Sequence, residues 1–309
     1  MNRKEFRKKL HRVAARHALF FFFALSRVVP FVLVRVFMFI SQRVTYFFIK
    51  RLRKIARETL TVAFGNEKTE EERKKIVLKC FVSLGYYMTD LLYYSKYPQK
   101  VLDACTFEGM EHIEQAMAKG KGAIAVTAHF GNFPLTMLAF AQKGYKVNVI
   151  MRRARDEAVG EKVLKIMDGV NVRTIYSHPR KKCVIDSLRA LRNNELLFIL
   201  LDQNFGADGG VFVDFFGRKA ATATGPVVFA RRAGSSIIPL FTTWEKDRGY
   251  RVIIDPECEL IPNDDEQIFL EENIGNVTAV IERYIRAYPS EWGWMHRRWK
   301  TEISANNQK

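Results

Sequence analysis

Cysteine is scarce in this chain of 309 residues: four are scattered at positions 80, 105, 183 and 258, with no C-x-x-C pair among them. That spacing argues against a disulfide framework and against a zinc site, and reads as ordinary buried thiols. Gly/Ser/Pro-rich linkers and internal repeats are missing too, so one large α/β domain is expected rather than two small ones. There is no G-x-S-x-G elbow, which removes the usual signature of a serine nucleophile. No stretch reaches the roughly 18 to 20 uncharged apolar residues of a simple membrane-spanning helix. No A-x-A-like site closes the first apolar block, which a cleaved signal peptide would require.

What the chain does have is positive charge, a formal +17. Residues 1–60 hold 15 Lys/Arg against 2 Asp/Glu, a net +13, which leaves only +4 for the other 249 residues. The basic segment is also greasy: "ALFFFFALS" from Ala18, then "VVPFVLV", "VFMFISQ" and "VTYFFI", interrupted by Arg27, Arg35 and Arg43. Nucleic-acid arms are basic and polar, so a nucleic-acid partner is not expected. A basic, apolar helix instead suits a membrane, either spanning it or lying in the interface with Arg35 and its neighbours snorkelling to headgroups. The positive-inside tendency puts this end, and with it the main domain, on the cytoplasmic face of an inner membrane.

Residues 50–118 read as helical. Thr69 with Glu72 three residues on is a capping-box signature ahead of "EEERKKIVLKCFVSLGYYMTDLLYYSK". From 123 the texture alternates. "GAIAVTA", "VNVIM", "VRTIY", "LLFILL", "SSIIPLFTTW" and "YRVIID" predict strands, and helices are expected at 133–143, 156–168, 180–193, 225–233 and 266–287. The expected fold class is therefore α/β: a mostly central mixed sheet flanked by helices, its last two strands close enough to form a hairpin. The organisation read from this is a membrane-anchoring segment at 1–60 and an α/β domain at 61–309 with a helical lead-in to about 118.

In open α/β sheets functional groups gather beyond the carboxyl ends of strands. His129 stands at such an end, after "AIAVTA", and Asp202 at another, after "LLFILL". His129 with the following "FGN" resembles the His-x4-Asp/Glu box of glycerolipid-type acyltransferases. Downstream, "DQNFG" at 202–206, "VFVDFFGRKAATATGP" at 211–226, "ARRAGSSIIPLF" at 230–241 and "YPSEWGWMHRRWK" at 288–300 are similar, in order and spacing, to the lipid A late acyltransferase family. "RETLTVAFGNEKTEEERKKIVLKCFVSLG" resembles that family's helical N-terminal region, so the likeness covers nearly the whole chain.

The resemblance implies a membrane-bound enzyme that moves a fatty acyl group from acyl carrier protein or coenzyme A to a hydroxyl of a glycolipid. It implies no metal and no bound cofactor; the acyl thioester is a cosubstrate. The imidazole would take the hydroxyl proton while a carboxylate fixes its tautomer. One position departs from the family's box: Pro134 stands where an acid is called for. Proline suits the first turn of a helix capped by Asn132, so sterics are content. Either Asp202 supplies the charge from the adjacent strand end, with Asp214 and Glu195 as alternatives, or catalysis has been lost and a lipid-binding relative remains. Acyltransfer to another lipid (a lysophospholipid, an aminolipid or a mannolipid) is the nearest alternative reaction.

Four further residues are candidate substrate contacts. Asn132 either caps its helix or faces the acyl carbonyl. Arg152, after "VNVIM", matches a family arginine and suits phosphate or sugar oxygens. Thr222 and Thr224, at the start of the 225–233 helix, either cap it or help its N–H groups meet an anionic headgroup. Phe205, Phe212, Phe215 and Phe216 are either groove or core residues, and Trp292 and Trp294 either sit at the lipid interface or pack against the domain.

Overall fold

The computed structural model describes residues 13, 16–17, 20–24, 28–206, 209–245 and 248–302. All of the basic cluster at 1–12, and parts of the "ALFFFFALS" run, lie outside them. Three helices come first: α1 (Phe31–Phe48), α2 (Lys50–Phe64) and α3 (Glu70–Lys96). The alternating part follows as β1 (Cys105–Glu108), α4 (Met110–Ala118), β2 (Ala123–Thr127), α5 (Phe133–Gln142), β3 (Val147–Met151), α6 (Glu157–Gly169), β4 (Val172–Tyr176), α7 (Arg180–Arg192) and β5 (Leu196–Leu200). A hairpin of β6 (Gly210–Phe215) and β7 (Arg218–Ala223), then α8 (Gly225–Ala233), β8 (Ser236–Glu245), β9 (Gly249–Ile254) and α9 (Glu266–Ala287) complete the order.

Seven strands form one sheet in the order β1-β9-β8-β2-β5-β3-β4. Every neighbouring pair in it is parallel except β8–β9, the expected hairpin, so the sheet is mixed. β2 and β5 sit at its centre, and their unbroken apolar runs AIAVT and LLFIL are buried along nearly their whole length, as a parallel strand covered by helices on both faces requires. Two strand regions were not read as such from the sequence. β1 falls inside the stretch expected to be helical, because four residues that alternate half-buried and exposed at a sheet edge carry too short a pattern to stand out. The β6–β7 pair lies apart from the main sheet and packs beside α9.

The lead-in helices belong to the domain core. Ala56, Leu60 and Phe64 of α2 and Val77, Cys80 and Phe81 of α3 share one buried cluster with β2, β5 and Trp292. The boundary read at residue 60 therefore falls inside α2. Thr69 caps α3 with the capping box expected: its hydroxyl accepts from Glu72 N, and Glu72 Oε2 accepts from Thr69 N at 2.7 Å.

α1 and α3 are both long and apolar enough to cross a membrane by length and composition. They differ in surroundings. α3 is wedged into the domain, whereas α1 presents Val32, Leu33, Val36, Phe37, Ile40, Val44, Phe47 and Phe48 outward. Arg35 does not reach away from the protein: its Nε lies 3.3 Å from Asp90 Oδ1 of α3, and its guanidinium stacks near Phe31 and Tyr86. Replacing Thr69 by Ala removes the acceptor for Glu72 N, leaving only the backbone half of the capping box, and is expected to cost about 1 kcal/mol of stability, read as a lowered denaturation midpoint with an unchanged slope.

Candidate active site

The sheet register brings His129 and Asp202 together. β2 and β5 pair in parallel with Thr127 opposite Leu200, and Leu201 N bonds Thr127 O at 3.0 Å. Two residues beyond each of those paired positions the chain reaches His129 and Asp202, so they stand side by side. His129 Nδ1 lies 2.8 Å from Asp202 Oδ1. Asp202 is fully buried, and its second oxygen accepts a 2.7 Å bond from Trp292 Nε1.

The tail that carries Trp292 lines the histidine loop. Phe130 and Trp292 form an isolated antiparallel bridge, Gly131 N donates to Glu291 O at 2.9 Å, and Gly293 N donates to His129 O at 3.0 Å. Gly131 adopts a left-handed conformation, φ +53°, and a β-carbon there would lie 1.7 Å from Thr242 O. Any larger residue would push the loop off β8. Trp292 and Trp294 are wholly buried and stack edge to face. They pack against the domain and do not reach a lipid interface.

Burial disfavours a charged imidazole at 129, but the charge of Asp202 and its hydrogen bond outweigh that and raise the His129 pKa above its usual 6.5. Burial likewise opposes the Asp202 anion. His129, the Trp292 N–H and the nearby His296 overcome it and hold the carboxyl well below the ordinary carboxylate range. An ionised carboxylate only accepts, so Nδ1 carries the proton shared with Asp202 and Nε2 is the basic position. Asp214 is exposed and paired with Lys219, and Glu195 accepts from Asn148 at the opposite end of β5. Asp202 is thus the carboxylate that orients the ring.

Two residues that the sequence reading passed over border His129. Gln203 Nε2 lies 3.0 Å from His129 Nε2, 3.3 Å from its Nδ1 and 3.4 Å from His296 Nε2. An atom nearly equidistant from both ring nitrogens and in the ring plane would overlap Cε1. The amide therefore lies over the ring face, in reach of both nitrogens. The ring of His296 is 5.1 Å from that of His129, centroid to centroid, and burial lowers its pKa. Their positions in "DQ" and "MHRR" signalled their nearness only through those motifs.

The substrate-contact candidates separate. Asn132 is buried and caps α5, its side chain accepting from Leu135 N, while its amide donates to Tyr87 O and to the Tyr250 hydroxyl. None of its polar atoms faces an open acyl site. Thr222 is also fully buried: its hydroxyl donates to Ala220 O and accepts from Arg298 at 2.6 Å. The same guanidinium bonds Ala221 O and Gln203 O, tying β7 to the segment after Asp202. Thr222 thus has no path to a headgroup. Thr224 precedes α8 without a side-chain cap bond and donates to Gly209 O. Arg152 is exposed at the carboxyl end of β3, on the same end of the sheet as His129. Phe215 and Phe216 are core residues packed on Trp292, Trp294 and Trp299, while Phe205 and Phe212 are half-buried. A cavity of about 750 Å³ opens elsewhere, among Phe23, Phe31, Tyr93, Lys96 and Lys162, and includes none of these site residues.

Residues 3–301 match the family described as bacterial lipid A biosynthesis acyltransferases. The chain belongs to that family. This lipid A acyltransferase family member is 30% identical over 258 residues to the lipid A biosynthesis lauroyltransferase of Escherichia coli (strain K12), covering 82% of this chain and 81% of that one. It is 27% identical to the palmitoleoyltransferase of the same organism, over 82% and 80%. A phosphatidylinositol mannoside acyltransferase of Mycobacterium tuberculosis is 23% identical over 65% of this chain and 61% of its own. Among solved structures, the 1-acyl-sn-glycerophosphate (LPA) acyltransferase of Thermotoga maritima aligns with a TM-score of 0.40 and 15% identity, over 84% of this chain and 99% of that one. The family assignment makes the protein an acyltransferase acting on a lipid.

A proton-accepting His129 must be neutral, so the acidic limb of kcat/KM against pH is expected above pH 6.5, where the raised pKa lies. In Asp202→Asn the anion is gone while burial remains. The limb should then move to lower pH, and turnover near neutrality should fall by about 10²-fold or more.

Proposed function

We propose that the protein transfers a fatty acyl group from an acyl thioester, carried by acyl carrier protein or coenzyme A, to a hydroxyl of a lipid A-type glycolipid at the inner, cytoplasmic membrane. The observation that carries this reading is the His129–Asp202 bond at 2.8 Å, which engages Nδ1 and leaves Nε2 as the ring's basic position beside the Gln203 amide. Asp202 holds the Nδ1–H tautomer, so Nε2 accepts the acceptor's hydroxyl proton as its oxygen attacks the thioester carbonyl. A carbon–oxygen bond forms and the carbon–sulfur bond breaks. The proton on His129 then passes to the departing thiolate.

Direct transfer suits the cysteines as well as the histidine. Burial pushes the Cys105 thiol up to about 12 and Cys258 to about 11, so neither holds a thiolate at neutral pH. Arg152 and Thr224 remain the side chains best placed, at strand and helix ends, to meet phosphate or sugar oxygens of the acceptor. The lipid-facing side is the outward row of α1, whose exposed Val, Leu, Ile and Phe residues would bed into the interface, aided by the basic N-terminal charge. A lipid A-type acceptor is favoured over a mannolipid because the lipid A relatives match over 82% of the chain and the mannoside relatives over 65%.

His129→Ala is expected to lower transfer of labelled acyl groups in membranes by about 10²- to 10⁴-fold while leaving fold and membrane attachment unchanged. Mass spectrometry of the lipid fraction from cells with and without the gene should show a glycolipid lighter by one acyl chain in its absence. An unchanged glycolipid together with an altered phospholipid or mannolipid would move the acceptor to that class.

A further inference from the structure

A chain of buried polar groups runs from the outward apolar helix to the histidine loop. Arg35 of α1 lies 3.3 Å from Asp90 Oδ1 of α3, and Asp90 is almost wholly buried. Asp90 Oδ2 accepts a 2.5 Å bond from the hydroxyl of Tyr250 on β9. The Tyr250 oxygen accepts from Asn132 Nδ2 at 3.1 Å. Asn132 caps α5 and precedes Phe133, whose ring meets that of His129 edge to face at 5.3 Å.

The direction of each bond follows from the charge at one end. An ionised carboxylate only accepts, so the single Tyr250 proton must point to Asp90. That leaves the Tyr250 oxygen as an acceptor, which turns the Asn132 amide nitrogen toward it and the amide oxygen toward Leu135 N. A neutral residue at 90 would permit the opposite polarity and with it a flipped amide and an open cap. Arg35 is the cation that faces this carboxylate. The Arg35 contact is a charge contact more than an aligned hydrogen bond, as neither Arg35 Nε nor Asp90 Oδ1 has a well-directed partner among the described residues.

We propose that Arg35, Asp90 and Tyr250 are positioning residues for His129, so that the helix which meets the membrane also sets the geometry of the base. This rests on the general-base reading above. It separates two roles of α1, anchoring through its apolar face and positioning through its arginine, and a substitution can break the second while sparing the first.

The test uses the full-length protein on phosphatidylglycerol vesicles. Arg35→Met keeps α1 apolar, so cosedimentation should match wild type. Its kcat should fall by about tenfold or more, the scale of a slightly misplaced catalytic group, with KM for donor and acceptor unchanged. Tyr250→Phe deletes one hydroxyl and should reproduce the loss, the double variant being no worse than either single, and Arg35→Lys should retain most of the turnover. Arg35→Met transferring at the wild-type rate, or losing activity only through raised KM or lost vesicle binding, would overturn the proposal. Should wild type itself transfer nothing, the general-base reading fails, and the link is still decided by the NMR resonances of the His129 ring. Those resonances should shift in both Arg35→Met and Tyr250→Phe with circular dichroism unchanged; ring signals identical to wild type would refute the link.

Discussion

A carboxylate buried at the carboxyl end of a central strand is the constraint from which the site follows. Asp202 has no solvent to stabilise its charge, and an unpaired buried anion costs several kcal/mol. It is tolerated because two donors converge on it, one from His129 and one from Trp292. The tail must therefore dock for the site to exist, which explains the backbone bonds from Gly131 and Gly293 that fasten it to the histidine loop. Arg298, fully buried, fastens the far side by bonding Gln203 O, Ala221 O and Thr222 Oγ1. The geometry of the His129–Asp202 pair and C-terminal packing are one problem here, solved by the same residues.

How much of this was legible before the fold was known depends on the range of the interaction. Strand ends, helix spans and the Thr69 capping box are local patterns, and they were readable from periodicity and cap chemistry. His129 beside Asp202 was readable too, since both follow apolar parallel strands and a parallel register carries equal offsets to equal depth. The Trp292 donor and the Arg298 clasp were not readable, because they join residues 76 to 95 positions apart whose local pattern says only aromatic and basic. Thr222 illustrates the converse. Its place before a helix suggested a cap or a ligand contact, whereas tertiary packing buried it under a guanidinium that no local rule places there.

Pro134 follows from the same logic. An orienting group acts from the Nδ1 side, and the β2–β5 register already delivers a carboxylate there. Residue 134 lies in the first turn of α5, where a missing N–H costs nothing and a fixed φ favours the turn. A second carboxylate is thus not needed for the tautomer, and proline stiffens the segment that holds Asn132 and Phe133 against the ring.

The distribution of charge closes the account of the N-terminal segment. Its net +13 over 60 residues suggests attraction to anionic lipid, yet several of these cations already have partners within the chain. Arg35 faces Asp90, Arg53 lies over the Tyr46 ring and Arg57 pairs with Glu70. What α1 turns outward is mainly apolar. Membrane affinity through this helix should then rest on hydrocarbon burial more than on Coulomb attraction, so salt, which screens exposed charges within about 10 Å at 0.1 M, would weaken it little. Under the proposed membrane role, such a helix would sit at a fixed depth while the arginine on its inner face stays bound to the domain.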